Sequence, residues 1–104
     1  MGTNCLGPYL LTLFLEPILI RTAAASSALS VRIVWVVSLM QEGTPAGGMS
    51  FDSKGRPQIL PKPMANYMQS KVGGCWLAAE FAKRLGSKGI LSVVSRNYWL
   101  CGPC

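Results

Sequence analysis

The chain has 104 residues, half of them hydrophobic and 13% charged, with a net charge of +6. So much apolar surface argues against disorder, and the length holds one domain. The ten Lys and Arg lie scattered from Arg21 to Arg96 with no run longer than Lys83-Arg84. No aromatic–basic interleaving offers bases a stacking platform, so nucleic-acid binding is not expected.

Residues 4–21 read as a helix. Leu6 to Ile20 is apolar apart from Thr12 and Glu16, as for a helix buried on two sides. No Lys or Arg precedes the run, as a secretory signal requires. It reads as too short for a membrane span and as interrupted at Glu16-Pro17, so no span is expected. Leu6 stands where a myristoylation site wants Ser or Thr. Asn4 is a strong N-cap type or a functional amide.

Small residues from Thr22 to Ser30 form a linker. Val31-Arg-Ile-Val-Trp-Val-Val-Ser38 is a near-continuous apolar run, as expected of a parallel strand covered on both faces, with Arg32 toward solvent. Residues 40–63 shift to Gly, Pro, Ser and mixed charge, with Phe51 and Ile59-Leu60 as anchors. An insertion of this length usually serves function. Residues 64–85 read as a second helix, preceded by Pro61 and Pro63 and capped by Gly86. Trp76, Leu77, Phe81 and Leu85 give it an apolar face, and Lys83, Arg84 and Lys88 suit its dipole. A second strand covers 89–94. There are no internal repeats.

The second helix carries Tyr67-Met-Gln-Ser-Lys71. Residues four apart share a helix face. An ammonium beside a phenol favours the phenolate, which suits proton donation and acceptance. Alone the spacing is weak; its place in an ordered set of blocks gives it weight.

That set resembles the short-chain dehydrogenase/reductases, in particular their retinol-dehydrogenase-like branch common in fungi. Asn4-Cys-Leu-Gly-Pro-Tyr-Leu-Leu-Thr is similar to the family's central helix, and Val31–Ser38 to its serine strand. Tyr67 to Lys71 with Gly73 and Ala78-Ala79-Glu80 is similar to its catalytic helix, and Gly89–Val94 to its next parallel strand. Phe51-Asp52 matches a recurring pair in that branch's substrate-facing insertion. The resemblance implies an α/β fold: a partial Rossmann-like, doubly wound fragment of two helices and two parallel strands.

It also implies NAD or NADP as cofactor, a small-molecule alcohol or carbonyl as substrate, and catalytic roles for Asn4, Ser38, Tyr67 and Lys71. Tyr67 exchanges the proton, and Lys71 tunes it and binds the nicotinamide ribose, so both also bind cofactor. Ser38 donates to the substrate oxygen, and Asn4 holds a relay water for Lys71. Ser38 departs from the pattern in one respect: Val37 replaces the first of two strand-end serines.

The family holds the dinucleotide pyrophosphate on a strand–glycine loop–helix unit. No G-x-x-x-G-x-G or G-x-G-x-x-G occurs in the chain, and neither Gly47-Gly48 nor Gly73-Gly74 follows an apolar strand. The expectation is therefore a truncated oxidoreductase. The alternative is an inactive remnant that associates with a partner through helices 4–21 and 64–85, which also form the surface for any oligomer. Residues 95–104 read as a tail foreign to the family, out of frame with the ancestral gene.

Cys101-Gly-Pro-Cys104 resembles the thioredoxin motif, but no helix follows to activate a thiol. Cys5 and Cys75 read as small buried apolar residues. No residue set suggests a metal. Reduced thiols fit an intracellular setting, and a cytoplasmic location is expected.

Overall fold

A computed structural model describes residues 1–38, 44 and 47–97. The first residues of the insertion, and Tyr98 to Cys104 with its cysteine pair, lie outside the described residues. A π-helical turn, Gly2–Leu6, runs into helix α1, Gly7–Ala25. Strand β1, Val31–Ser38, follows, then helix α2, Pro63–Leu85, a 3-10 turn, Gly86–Lys88, and strand β2, Ile90–Asn97. The strands pair in parallel from Val31↔Ile90 to Ser38↔Asn97, with α2 as the crossover that a parallel pair requires. This is an α/β, Rossmann-like arrangement of two helices and two parallel strands in an open sheet.

In its C-terminal half α2 turns Ala78, Phe81 and Leu85 to one side, where they build the core, while Trp76, expected on that face, is 45% exposed on the outer one. Ala78, Phe81 and Leu85 bury against Trp35 of β1 and Ile90 of β2, and α1 adds Tyr9, Leu13, Ile20 and Ala23. The Phe81 ring lies 5.4 Å from Trp35 and 6.0 Å from Tyr9. Burying a side chain of that size contributes about 2–3 kcal/mol. A polar thread crosses the same core. Trp35 Nε1 donates to Ser92 Oγ at 2.9 Å, and Ser92 Oγ donates to the Ala78 carbonyl at 2.8 Å. Gly74 lets α2 approach β1 closely, since a Cβ there would stand 3.1 Å from a Val37 methyl.

Three sequence expectations need correction. First, Glu16-Pro17 does not interrupt the apolar run: the helix expected over 4–21 passes through Pro17 and continues to Ala25. A proline inside a helix forfeits one ladder bond, and packing of Leu19, Ile20 and Ala23 on the core holds the following turn. With the preceding turn, the helix spans Gly2–Ala25, and an 18-residue stretch of it has a mean hydropathy of 1.3. By length and composition alone it is long and apolar enough to cross a membrane. The charge of Glu16 is met by Arg84 of α2 at 2.9 Å.

Second, β1 is covered on one face. Trp35 and Val37 are buried against α2, whereas Arg32, Val34 and Val36 are exposed on the alternate face. The outer face of α1 is bare too, with Leu11 and Phe14 exposed at 60% and 80%. Among the described residues both helices lie on one side of the sheet, so nothing covers its other face.

Third, Gly86 takes the C-cap position of α2 as expected, yet it is right-handed and leads into the 3-10 turn. The left-handed residue is Gly89, at φ +80°, so β2 begins at Ile90. It then runs to Asn97, three positions past the expected end of the family-like segment.

Candidate active site

The crossover sets where the site stands. Gly74 crosses Val37, the penultimate residue of β1. Lys71 and Tyr67 lie one and two turns before that crossing, so Tyr67 stands about 10 Å farther along the helix axis. This carries the pair toward the carboxyl ends of the strands, where open α/β sheets bind ligands. Lys71 Nζ lies 5.5 Å from the centroid of the Tyr67 ring, near enough for a cation–π attraction. Lys71 is half-buried, and Tyr67 is 40% exposed.

Asn4 reaches this helix from the start of the chain. Its Nδ2 donates to Ser70 Oγ at 2.8 Å, and Ser70 Oγ donates to the Tyr67 carbonyl at 2.6 Å. No side-chain cap bond is made at this helix start, so the capping role weighed for Asn4 does not apply. Cys5 Sγ donates to the Ser70 carbonyl at 3.2 Å. Burial pushes the Cys5 thiol up from its ordinary value, against the smaller opposing fields of the N-terminus and Lys71.

A cavity of about 300 Å³ is walled by Asn4, Pro8, Val34, Trp35, Val36, Lys71 and Gly74. It has room for several waters, with an amide and an ammonium on its wall. The structure thus gathers Asn4, Ser70, Tyr67 and Lys71. Ser38 ends β1, paired with Asn97 of β2. By strand alternation its side chain shares the face of Val34 and Val36, while Val37 takes the position that packs on α2.

The insertion forms a tight hairpin. Gln58 N–H donates to the Ser50 carbonyl at 2.9 Å, and Asp52 N–H to the Arg56 carbonyl at 2.8 Å. Asp52 knots the turn, accepting from the backbone N–H groups of Lys54 and Arg56 and from Arg56 Nε. Those donors, the Arg56 amide foremost, hold its carboxyl below the usual carboxylate range.

The hairpin lies against the outer face of α2: Phe51 stacks on Trp76 at 6.1 Å, and Gly48 lies against Val72. An apolar groove of about 720 Å³ forms there among Tyr9, Phe51, Ile59, Trp76 and Leu77. Neither Tyr67 nor Lys71 lines it. The described hairpin therefore packs on a different face of α2 from the one that carries the pair.

Sequence reasoning missed Ser70, Asn66 and Gln69. Their signal was there: short polar side chains in the first two turns of a helix, with Asn66 and Gln69 three apart on one face.

Several known proteins are similar to this sequence. A short-chain dehydrogenase/reductase of Pestalotiopsis fici is 38% identical over 94 residues, which is 89% of this chain and 28% of the relative. One from Neocamarosporium betae is 39% identical over 94 residues, 88% of this chain and 27% of the relative. A third, from Phomopsis amygdali, is 35% identical over 95 residues, 89% of this chain and 28% of the relative. By sequence the chain belongs with the short-chain dehydrogenase/reductases. It spans less than a third of the length of these relatives. No family model and no solved structure matches it.

Proposed function

We propose that Tyr67 and Lys71 are the acid–base pair of an NAD(P)-dependent oxidoreductase acting on a small alcohol or carbonyl. The observation that carries the reading is one constellation. A tyrosine and a lysine four apart stand toward the carboxyl ends of parallel strands, and the lysine shares a cavity with Asn4. The fungal relatives are of the same family, and Phe51-Asp52 favours its retinol-dehydrogenase-like branch.

In this reading the Tyr67 hydroxyl protonates a carbonyl oxygen, or takes the proton of an alcohol in the reverse direction. The Lys71 ammonium steadies the negative charge left on the phenolate and donates to the nicotinamide ribose. Ser38 donates to the substrate oxygen, where charge develops. Asn4 orients a water in the cavity, through which Lys71 exchanges protons with solvent. Bound NAD or NADP supplies the hydride chemistry.

The residues fit the ribose and nicotinamide end of that cofactor. They do not fit its pyrophosphate. Gly73 and Gly74 lie inside α2 against Cys5 and Val37, and Gly48 lies against Val72. No described strand–glycine loop–helix turn aims backbone N–H groups at an anion. The 104 residues by themselves are therefore expected to bind NAD(P)H weakly and to turn nothing over, since the reacting carbon is not held in place.

Titration of NADH and NADPH, followed by nicotinamide fluorescence, tests the reading. Weak, saturable binding that falls at least fivefold in Lys71→Ala supports it. Binding that is absent, or indifferent to Lys71→Ala and Tyr67→Phe, overturns it.

A further inference from the structure

The half of α2 that carries the pair is not the half that the apolar core holds. Ala78, Phe81 and Leu85 anchor the C-terminal turns, whereas Tyr67 and Lys71 stand in the first turns, with Tyr67 40% exposed. Polar side chains interleaved with the pair hold those first turns, and Asn66 and Gln69 face the hairpin.

Gln69 is 2% exposed. Its Oε1 accepts from Ser50 N–H at 2.7 Å, and its Nε2 donates to the Gln58 carbonyl at 3.2 Å. Ser50 and Gln58 already face each other across the hairpin through the Gln58 N–H to Ser50 carbonyl bond. The Gln69 amide takes up the groups left over, as a peptide of a third strand would. Asn66 treats Leu60 in the same way: Oδ1 accepts its N–H and Nδ2 donates to its carbonyl, both at 2.7 Å. A further Asn66 bond reaches the Lys62 carbonyl at 3.4 Å. Backbone groups drawn away from water must find partners, and these part-buried bonds are the means by which the insertion lies on the helix.

We propose that Asn66 and Gln69 are positioning residues that brace the hairpin against the first turns of α2 and so fix where the Tyr67–Lys71 pair stands. Gln69 lies roughly 160° round the helix from Tyr67. The brace thus presses on the side opposite the sheet, and α2 is held between the two. Releasing it leaves the core intact and lets the turns that bear the pair fray. Its catalytic consequence rests on the acid–base reading of the pair; the brace does not.

Hydrogen exchange and NMR of the whole chain test this. In Gln69→Ala or Asn66→Ala, the Ser50 and Leu60 amides should exchange at least tenfold faster. The amides of residues 66–71 should follow, and the Lys71 methylene signals should move as the Tyr67 ring leaves them. The Phe81 and Leu85 signals should stay.

Gln69→Glu keeps the acceptor for Ser50 N–H, and its carboxyl regains a donor for the Gln58 carbonyl only when protonated. Protection at Ser50 should therefore rise as pH falls through the carboxyl range, a profile that space-filling alone does not produce. This variant also answers the case in which Gln69→Ala fails to fold. The proposal is overturned if Gln69→Met protects Ser50 as well as glutamine does. It is overturned as well if the hairpin is released while residues 66–71 and the Lys71 signals stay unchanged. Nicotinamide titration plays no part in these outcomes, so failure of the oxidoreductase reading shows up separately.

Discussion

Asn4 and Ser70 are joined across 66 positions of sequence by one hydrogen bond of 2.8 Å. The bond ties the turn ahead of α1 to the helix that bears the tyrosine–lysine pair. Ser70 passes the connection on to the Tyr67 carbonyl, so a contact at the start of the chain ends at the backbone of the proposed acid–base residue.

Removing either partner should cost about 1 kcal/mol, the ordinary net value of such a bond. Urea titrations of Asn4→Ala, Ser70→Ala and the double variant measure the coupling directly. The double variant should be destabilised by clearly less than the sum of the singles. Simple additivity would mean that the two side chains do not meet in solution.

Gly73 is the point at which that first turn presses on α2. A Cβ there would collide with the sulfur of Cys5. Gly73→Ala should push the turn away and break the bonds that Asn4 and Cys5 make to Ser70, with a cost of about 1–3 kcal/mol. Cys5→Ala in the same chain should restore much of the loss by vacating the space. Absence of rescue in thermal unfolding would place the collision elsewhere.

Cys5 makes stability sensitive to alkaline pH. Burial raises its folded value above the ordinary 9.0, so the folded state disfavours the thiolate more than the unfolded state does. The contribution is complete below about pH 9 and is lost as pH rises from there through the folded value. Denaturant midpoints should fall as pH rises above about 9, and less steeply in Cys5→Ala. The same cause should make alkylation of Cys5 by iodoacetamide at pH 8 slower in the folded chain than in urea, as peptide mapping would show. Equal rates would contradict the burial.

The bare apolar faces should drive self-association. Leu11 and Phe14 on the outer face of α1, with Val34 and Val36 on the open sheet face, exceed what single surface hydrophobes explain. The sheet also has unpaired edges among the described residues, which invite further pairing. Light scattering coupled to size-exclusion chromatography should find species larger than a monomer, and Leu11→Lys with Phe14→Lys should reduce them. A single sharp monomer peak for the native chain would rule this out.

The elements of the fold were legible because each rests on a local cause. The unbroken Val31–Ser38 run, the prolines at the start of α2 and the tyrosine–lysine spacing are neighbour-scale signals, and they mark strand, helix start and shared face. Pro17 was read inside a helix over 4–21 but as a break in any longer apolar stretch, whereas the packing of Ile20 and Ala23 on the core carries the helix on to Ala25. Coverage of β1 was misread because a two-sided apolar strand records which faces are apolar, not whether a layer lies on each.

What the sequence determined by itself was the order helix, strand, insertion, helix, strand, its parallel consequence, and a tyrosine and lysine on one helical face. The helical period of 3.6 and the unbroken apolar run mark the helices and the first strand, and the family resemblance supplies the second strand and its parallel pairing. Only the tertiary structure decided that Asn4 is a bridge to Ser70 and not a cap. It alone set the hairpin on the face of α2 away from the pair and placed its unmatched backbone groups against Asn66 and Gln69. An amide side chain carries no period of its own. Whether it caps, braces or lines a cavity is settled by the backbone groups that distant segments bring within about 3 Å of it.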